Sequence, residues 1–201
     1  MTVRSSVHPD PARPDAGLAF LSTWDVGGPD GQRDVLDAVG RAWESRPWPH
    51  PGLLAYSVYA GDDGATLLHH TQWRGLDDYD EFFRGAGDSA GNGRDDRNAE
   101  IDAAVPGIRR LGLHKTRRLR GIWGPAHGRG PAFVAVQVSA DEPVPTRPSG
   151  LVSAHLHRTL DGSAYVTYVE WESERDHEEA GGAGERFRFA YRLVPGAGEG
   201  D

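Results

Sequence analysis

The chain of 201 residues contains no cysteine and a single methionine. The missing cysteine removes disulfides, thiolate metal sites and cysteine nucleophiles together. Basic residues are in the minority, 22 Lys and Arg against 30 Asp and Glu, for a formal charge of −8. That sign argues against nucleic acid or an anionic membrane as the main partner. No apolar run approaches the roughly 20 residues of a membrane span, and the first residues lack the apolar core of a signal peptide. A soluble cytoplasmic protein is expected. HExxH and EF-hand patterns are absent, as is a Gly-rich loop with the spacing of a phosphate or dinucleotide cradle. What is present is aromatic: six Trp, six Tyr and six Phe within a 37% hydrophobic chain, enough for a core despite 27 Gly and 14 Pro.

Two stretches share a grammar of strand, tight turn, strand, helix. Residues 51–83 and 149–180 align without a gap: Gly52 with Gly150, Leu53 with Leu151, Asp63-Gly64 with Asp161-Gly162, and Trp73 with Trp171. Matches that fall on turn residues and on a tryptophan, all in one register, indicate a duplication. Each half would be marginally stable alone, so the two are expected to pack together.

In chain order, residues 1–16 are Pro-rich and aperiodic and are expected to form a disordered arm, as are 195–201 at the other end. The first unit, 17–123, opens with an apolar strand over 18–26. Helical spacing follows over 32–44, with Val35, Leu36, Val39, Ala42 and Trp43 on one stripe, stopped by Pro47 and Pro49. Strands over 53–59 and 66–73 flank a hairpin turn at Asp62-Asp63-Gly64. A short helix over 76–84 turns Tyr79, Phe82 and Phe83 inward, a polar loop covers 86–98, and one helical turn covers 101–105. A strand over 108–122 completes the ferredoxin-like order βαββαβ. Residues 124–131 read as a linker.

The second unit, 132–194, repeats strands over 132–138, 151–157 and 163–171, a short acidic helix over 173–180 and a strand over 186–193. It differs at one place. Twenty-five residues separate Val26 from Gly52, but only eleven, three of them proline, separate Val138 from Gly150. Eleven residues do not hold a helix with its two turns. Extended, they reach about 36 Å at ~3.3 Å each, enough for a plain crossover. The second unit therefore lacks its first helix.

The pattern of strand, helix, Pro-Gly-Leu, hairpin and strand ending in Trp73, with Tyr79 six residues on, resembles the antibiotic biosynthesis monooxygenase family of the dimeric α/β-barrel superfamily. So does the return EIDAAVPGIRRLGLHKTRRLR into the last strand. The resemblance implies an α+β fold in which two ferredoxin-like repeats close an intrachain dimeric α/β barrel, a pseudo-dimer, with a homodimer as the further assembly left open. It also implies a cofactor-free monooxygenase, with no metal and with molecular oxygen as co-substrate, oxidising an aromatic polyketide or other phenolic to a quinone. A polyketide cyclase or isomerase without redox chemistry remains open, as does a non-catalytic binding or scaffold barrel. Such an oxygenase needs an aromatic pocket, a base or donor for the phenolate, and exclusion of water.

Strand alternation places His69, Thr71 and Trp73 on one face and His70 and Gln72 on the other. His69 stands where relatives commonly carry Asn; it is read as a donor, or as a base near pH 7. Trp73, through its indole N–H, and Tyr79, through its hydroxyl, complete the expected catalytic set. Tyr56, Trp24 and Phe82 are the expected substrate contacts. In the second unit His69 becomes Thr167 and Tyr79 becomes His177, so that unit keeps the fold and not the site. His155 and His157 share a strand face, but no third metal ligand has suitable spacing. The basic run Arg109 to Arg120 reads as an edge strand kept soluble by charge.

Overall fold

The computed structural model describes residues 1–84 and 94–196, without the side chains of Arg94 and Asp95. Residues 86–93 of the expected polar loop, and 197–201 of the expected tail, lie outside the described residues. The described chain is α+β, with nine strands in one antiparallel sheet and four helices. The strands are β1 (Thr2–Ser5), β2 (Leu18–Asp25), β3 (Leu53–Gly61), β4 (Thr66–Trp73), β5 (Arg109–Trp123), β6 (Phe133–Ser139), β7 (Leu151–Thr159), β8 (Tyr165–Trp171) and β9 (Glu185–Pro195). The helices are α1 (Pro29–Glu44), α2 (Leu76–Arg84), α3 (Arg94–Ala104) and α4 (Glu174–Glu179). The sheet runs β1-β9-β3-β4-β2-β5-β7-β8-β6, and β6 pairs back onto β9. Eight strands thus form a closed ring, and β1 continues the edge of β9 beyond β6.

Within the ring the first half runs β5-β2-β4-β3 and the second β9-β6-β8-β7, the same order of fourth, first, third and second strand. The halves meet where β3 pairs β9 and where β5 pairs β7. Equivalent residues occupy equivalent rungs: Leu18 and Leu53 flank Trp73, as Phe133 and Leu151 flank Trp171. The shared glycines have a steric reason. A Cβ on Gly52 would lie 2.3 Å from the Asp78 side chain, and one on Gly150 would lie 2.2 Å from Asp176. Their carbonyls accept from the residue after each tryptophan, Arg74 N and Glu172 N, both at 2.9 Å. The hairpins match as well: Gly64 and Gly162 sit at φ +71° and +74°, a region glycine enters without penalty.

Three expectations are corrected. Residues 1–16 are no free arm: Thr2 to Ser5 form β1, and Gln72 Nε2 donates to the Asp10 carbonyl at 2.8 Å. Arg4 is laid over Gly40, donates to both Glu44 oxygens and stacks on Tyr191 at 4.5 Å. Second, β5 is not an edge; it runs between β2 and β7, and its exposed residues fall on both faces, with Leu111 beside Leu21 and Leu68 and Arg110 beside Trp24. Third, the single turn expected over 101–105 is the end of the eleven-residue α3, so residues 94–98 are helical rather than loop.

The ring encloses a plug of Leu21, Tyr59, Leu68, Val134, Val166, Tyr168 and Phe187, with the Tyr59 and Tyr168 hydroxyls 2.9 Å apart. Tyr56, on the other face of β3, belongs to the cluster under α1 with Val35, Val39 and Ala42. Burying three such aliphatic side chains is worth about 1.5–3 kcal/mol for each large one. The second half has no such helix. Its chain crosses from β6 to β7 through the prolines, and Arg120 holds the crossover by an ion pair to Glu142 at 2.8 Å.

Candidate active site

All six residues expected at the site line one cavity of about 460 Å³ on the outer face of the first half. Alternation on β4 delivers His69, Thr71 and Trp73; β2 supplies Phe20 and Trp24, β3 supplies Tyr56, and α2 supplies Tyr79 and Phe82. The aromatic rings brace one another. Tyr79 stands edge-on to Trp73 at 5.3 Å and to Phe20 at 4.8 Å, and Trp43 lies against Tyr56 at 4.6 Å. Such pairs are worth about 0.5–1.5 kcal/mol beyond their buried area, so the box is rigid before any ligand arrives.

Tyr56 and His69 form a buried dyad, with Tyr56 Oη 2.5 Å from His69 Nδ1. His69 Nε2 has no partner. If Tyr56 donates, His69 carries its proton on Nε2 and the dyad leaves one orphan, an N–H donor. The reverse arrangement leaves two, a hydroxyl hydrogen and a bare acceptor. The first is favoured, because each buried orphan costs about 1–3 kcal/mol. Trp24 stacks on the imidazole with ring centroids 4.0 Å apart. Burial, with a smaller contribution from the Arg110 charge, lowers the His69 pKa to about 3. Burial, followed by Tyr191, pushes the Tyr56 hydroxyl well above its ordinary value. Both groups are neutral at pH 7. The reading of His69 as a base is therefore corrected: it is a neutral donor.

Trp73 also differs from expectation, since its indole N–H donates to Thr71 Oγ1 at 3.3 Å. It serves as wall. Lys115 Nζ sits 4.6 Å over the Tyr79 ring, so one face of that ring meets a cation. Sequence reading missed Arg110 and Arg97. Arg110 lines the cavity, stacks on Trp24 at 4.6 Å and pairs with Asp102 at 2.9 Å. Arg97 is buried, donates to the Pro47 carbonyl at 2.7 Å and lies over Trp43 at 4.9 Å. No carboxylate lines the cavity among the described residues, so its ionised groups are guanidinium. Positive charge beside an aromatic box favours the ionised form of a bound phenol.

Fold and cavity define an α+β barrel of ferredoxin-like type with an aromatic site in one half. It aligns with a solved anthrone oxidase-like protein over 99% of this chain and 98% of that one, at TM-score 0.65 and 15% identity. A monooxygenase from Streptomyces coelicolor solved with nanaomycin D matches 51% of this chain and 88% of its own, at TM-score 0.38 and 25% identity. A chlorite dismutase variant from Candidatus Nitrospira defluvii matches 90% of this chain and 92% of its own, at TM-score 0.46 and 14% identity. No protein-family model and no curated protein matches. At these identities the likeness is one of fold.

The expected freedom from cofactors is corrected here. Chlorite dismutases, which depend on haem, stand among the matching structures, so the architecture does not imply a cofactor-free protein. The cavity itself does not fit haem. Haem iron takes an axial side chain, and His69, the one imidazole on this wall among the described residues, carries its proton on Nε2 while Tyr56 donates to Nδ1, so it offers iron no lone pair. No step below is routed through such a group.

Proposed function

We propose that the first-half cavity binds a flat phenolic aromatic and that the protein is a monooxygenase converting it to a quinone-type product. The orphan His69 N–H inside an aromatic box carries this reading. The rings supply two-sided contact for a polycycle. The N–H answers an oxygen of the substrate, and its hydrogen bond strengthens as phenol becomes phenolate. The Arg97 guanidinium on the lining favours the same anion, while Asp102 takes the charge of Arg110, and electron-rich phenolate is the form oxidised by O₂. One oxygen atom enters the ring carbon and the other leaves as water. The fold shared with an anthrone oxidase-like protein supports this substrate class.

The matched strand order of the halves supports a second element of the proposal. The chain is a tandem duplication acting as its own pseudo-dimer, with one working cavity in the half that kept α1.

The test is oxygen uptake and quinone absorbance with an anthrone, on the protein as purified and after haem addition. The expected result is O₂-dependent turnover that falls about 100-fold in His69→Phe, the cost of one charge-stabilising donor. Product formed equally well without oxygen would instead favour a cyclase. Turnover untouched by His69→Phe would move the chemistry elsewhere.

A further inference from the structure

The second half has its own cavity, of about 260 Å³, where α1 has no counterpart. It lies on the outer face of β7 and β8, with Pro143 and Val144 of the crossover on its rim. Its walls are mostly apolar, with Ala135, Leu151, Ala154, Leu156 and Val169, and carry Gln137, Thr146 and Thr167 besides. Two lining residues nevertheless keep a buried polar atom without a partner, Trp171 Nε1 and His177 Nδ1; His155, cross-strand from Tyr168 of the plug, turns its ring to the inner face. Both residues are more than nine-tenths buried, at 6% and 3% exposure.

The hydrogen bonds fix what each atom offers. His177 Nε2 donates to the Ala183 carbonyl at 2.9 Å, so its Nδ1 is a bare acceptor. The indole N–H of Trp171 is a donor and nothing else. In the first half the equivalent Trp73 N–H is answered by Thr71. The second half keeps the indole and leaves its hydrogen bond open. Among the described residues Arg120 is the one ionised side chain on the lining, and Glu142 takes its charge.

We propose that this cavity is a second, independent binding site, for a small uncharged aromatic bearing a hydroxyl or carbonyl group. The ligand oxygen accepts from the Trp171 indole, and a ligand hydroxyl donates to His177 Nδ1. Mostly apolar walls without a free charge reject carboxylates, since a buried unpaired anion is costly. The cavity has little more than half the volume of the first, so it suits one ring where the first suits several. The site does not depend on the proposed oxidation, and its failure would leave that reading standing.

The experiment uses the full chain, with phenol and 4-hydroxyacetophenone as probes and toluene as the control without oxygen. Indole N–H resonances are followed by NMR, that of Trp171 being assigned by its loss in Trp171→Phe, and calorimetry gives stoichiometry. The expected result is a saturable shift of the Trp171 resonance and a binding event about tenfold weaker in Trp171→Phe and for toluene. Val169→Trp, which fills the cavity, abolishes this event. Should that variant not fold by circular dichroism, Ala154→Leu narrows the same wall and weakens it. An unmoved Trp171 resonance would overturn the proposal, as would binding indifferent to both cavity-filling changes.

Discussion

The two halves share a frame and differ in what the frame holds. Around Trp73 stand Leu18, Leu53, Tyr79, Gly52 and Asp78; around Trp171 stand Phe133, Leu151, His177, Gly150 and Asp176. Even the ring contacts correspond, with Tyr79 at 5.3 Å from Trp73 and His177 at 5.2 Å from Trp171. By the same register, the dyad Tyr56 and His69 is replaced by Ala154 and Thr167. Residues that position β-strands against the following helix are common to both halves. Residues that confront a ligand are not. A tryptophan that braces a strand end thus says little about chemistry, and the polar group two rungs away says more.

The largest expected effect concerns what the halves hold jointly. Burial lowers His69 and His157 to about 3, and His70 and His155 to about 4, against an ordinary 6.5. Below pH 6.5 the unfolded chain therefore binds up to four protons that the folded chain refuses, and stability falls with pH. Glu170 opposes this, since burial raises it to about 7 and the folded state keeps a proton that the unfolded state releases above about 4.5. Four groups outweigh one. Urea midpoints are expected to drop steeply from pH 6.5 to 4, and less steeply in His157→Gln or His70→Gln. Equal slopes in the variants would show that the imidazoles are not shut in both halves alike.

Next in size is the tryptophan pair. Trp73→Ala and Trp171→Ala are each expected to lose about 3–5 kcal/mol in urea unfolding, the usual cost of a buried aromatic. Only Trp73→Ala should also lower oxidation at the first cavity; equal loss of turnover in both would erase the distinction drawn above. Smaller still is the glycine pair. A methyl group at Gly52 or Gly150 meets an aspartate side chain, which costs about 1–3 kcal/mol. Gly150 also sits at φ +71°, and Gly52 is not in that region, so Gly150→Ala should be the worse of the two in thermal unfolding.

Much of this was legible in the residues because it is local. The limits of β4 and α2 follow from apolar periodicity and from the glycine at each turn, and alternation alone put His69, Thr71 and Trp73 on one face. The bond from Trp73 to Thr71, two residues apart on that face, was within reach of the same reasoning. What escaped is decided at a distance. The charge pattern of β5 does mean exposed residues, but its place inside a ring depends on Leu156 and His155 pairing with it from the next half. The order of residues 1–16 rests on backbone carbonyls such as that of Asp10, which carry no sequence signature. The neutrality of His69 comes from Trp24, brought from another strand, and from Arg110, brought from a third.

The pairing of β1 with β9 sets the two described ends of the chain side by side, with Gly196 N donating to the Met1 carbonyl at 2.7 Å. A ring whose ends touch has no intrinsic first strand. Opened in the turn at residues 124–130 and rejoined across that contact, the same sequence would be a circular permutant. It would be read from β6 onward and keep every rung of the ring. The order of the two halves along the chain thus belongs to the sequence and not to the closure of the ring.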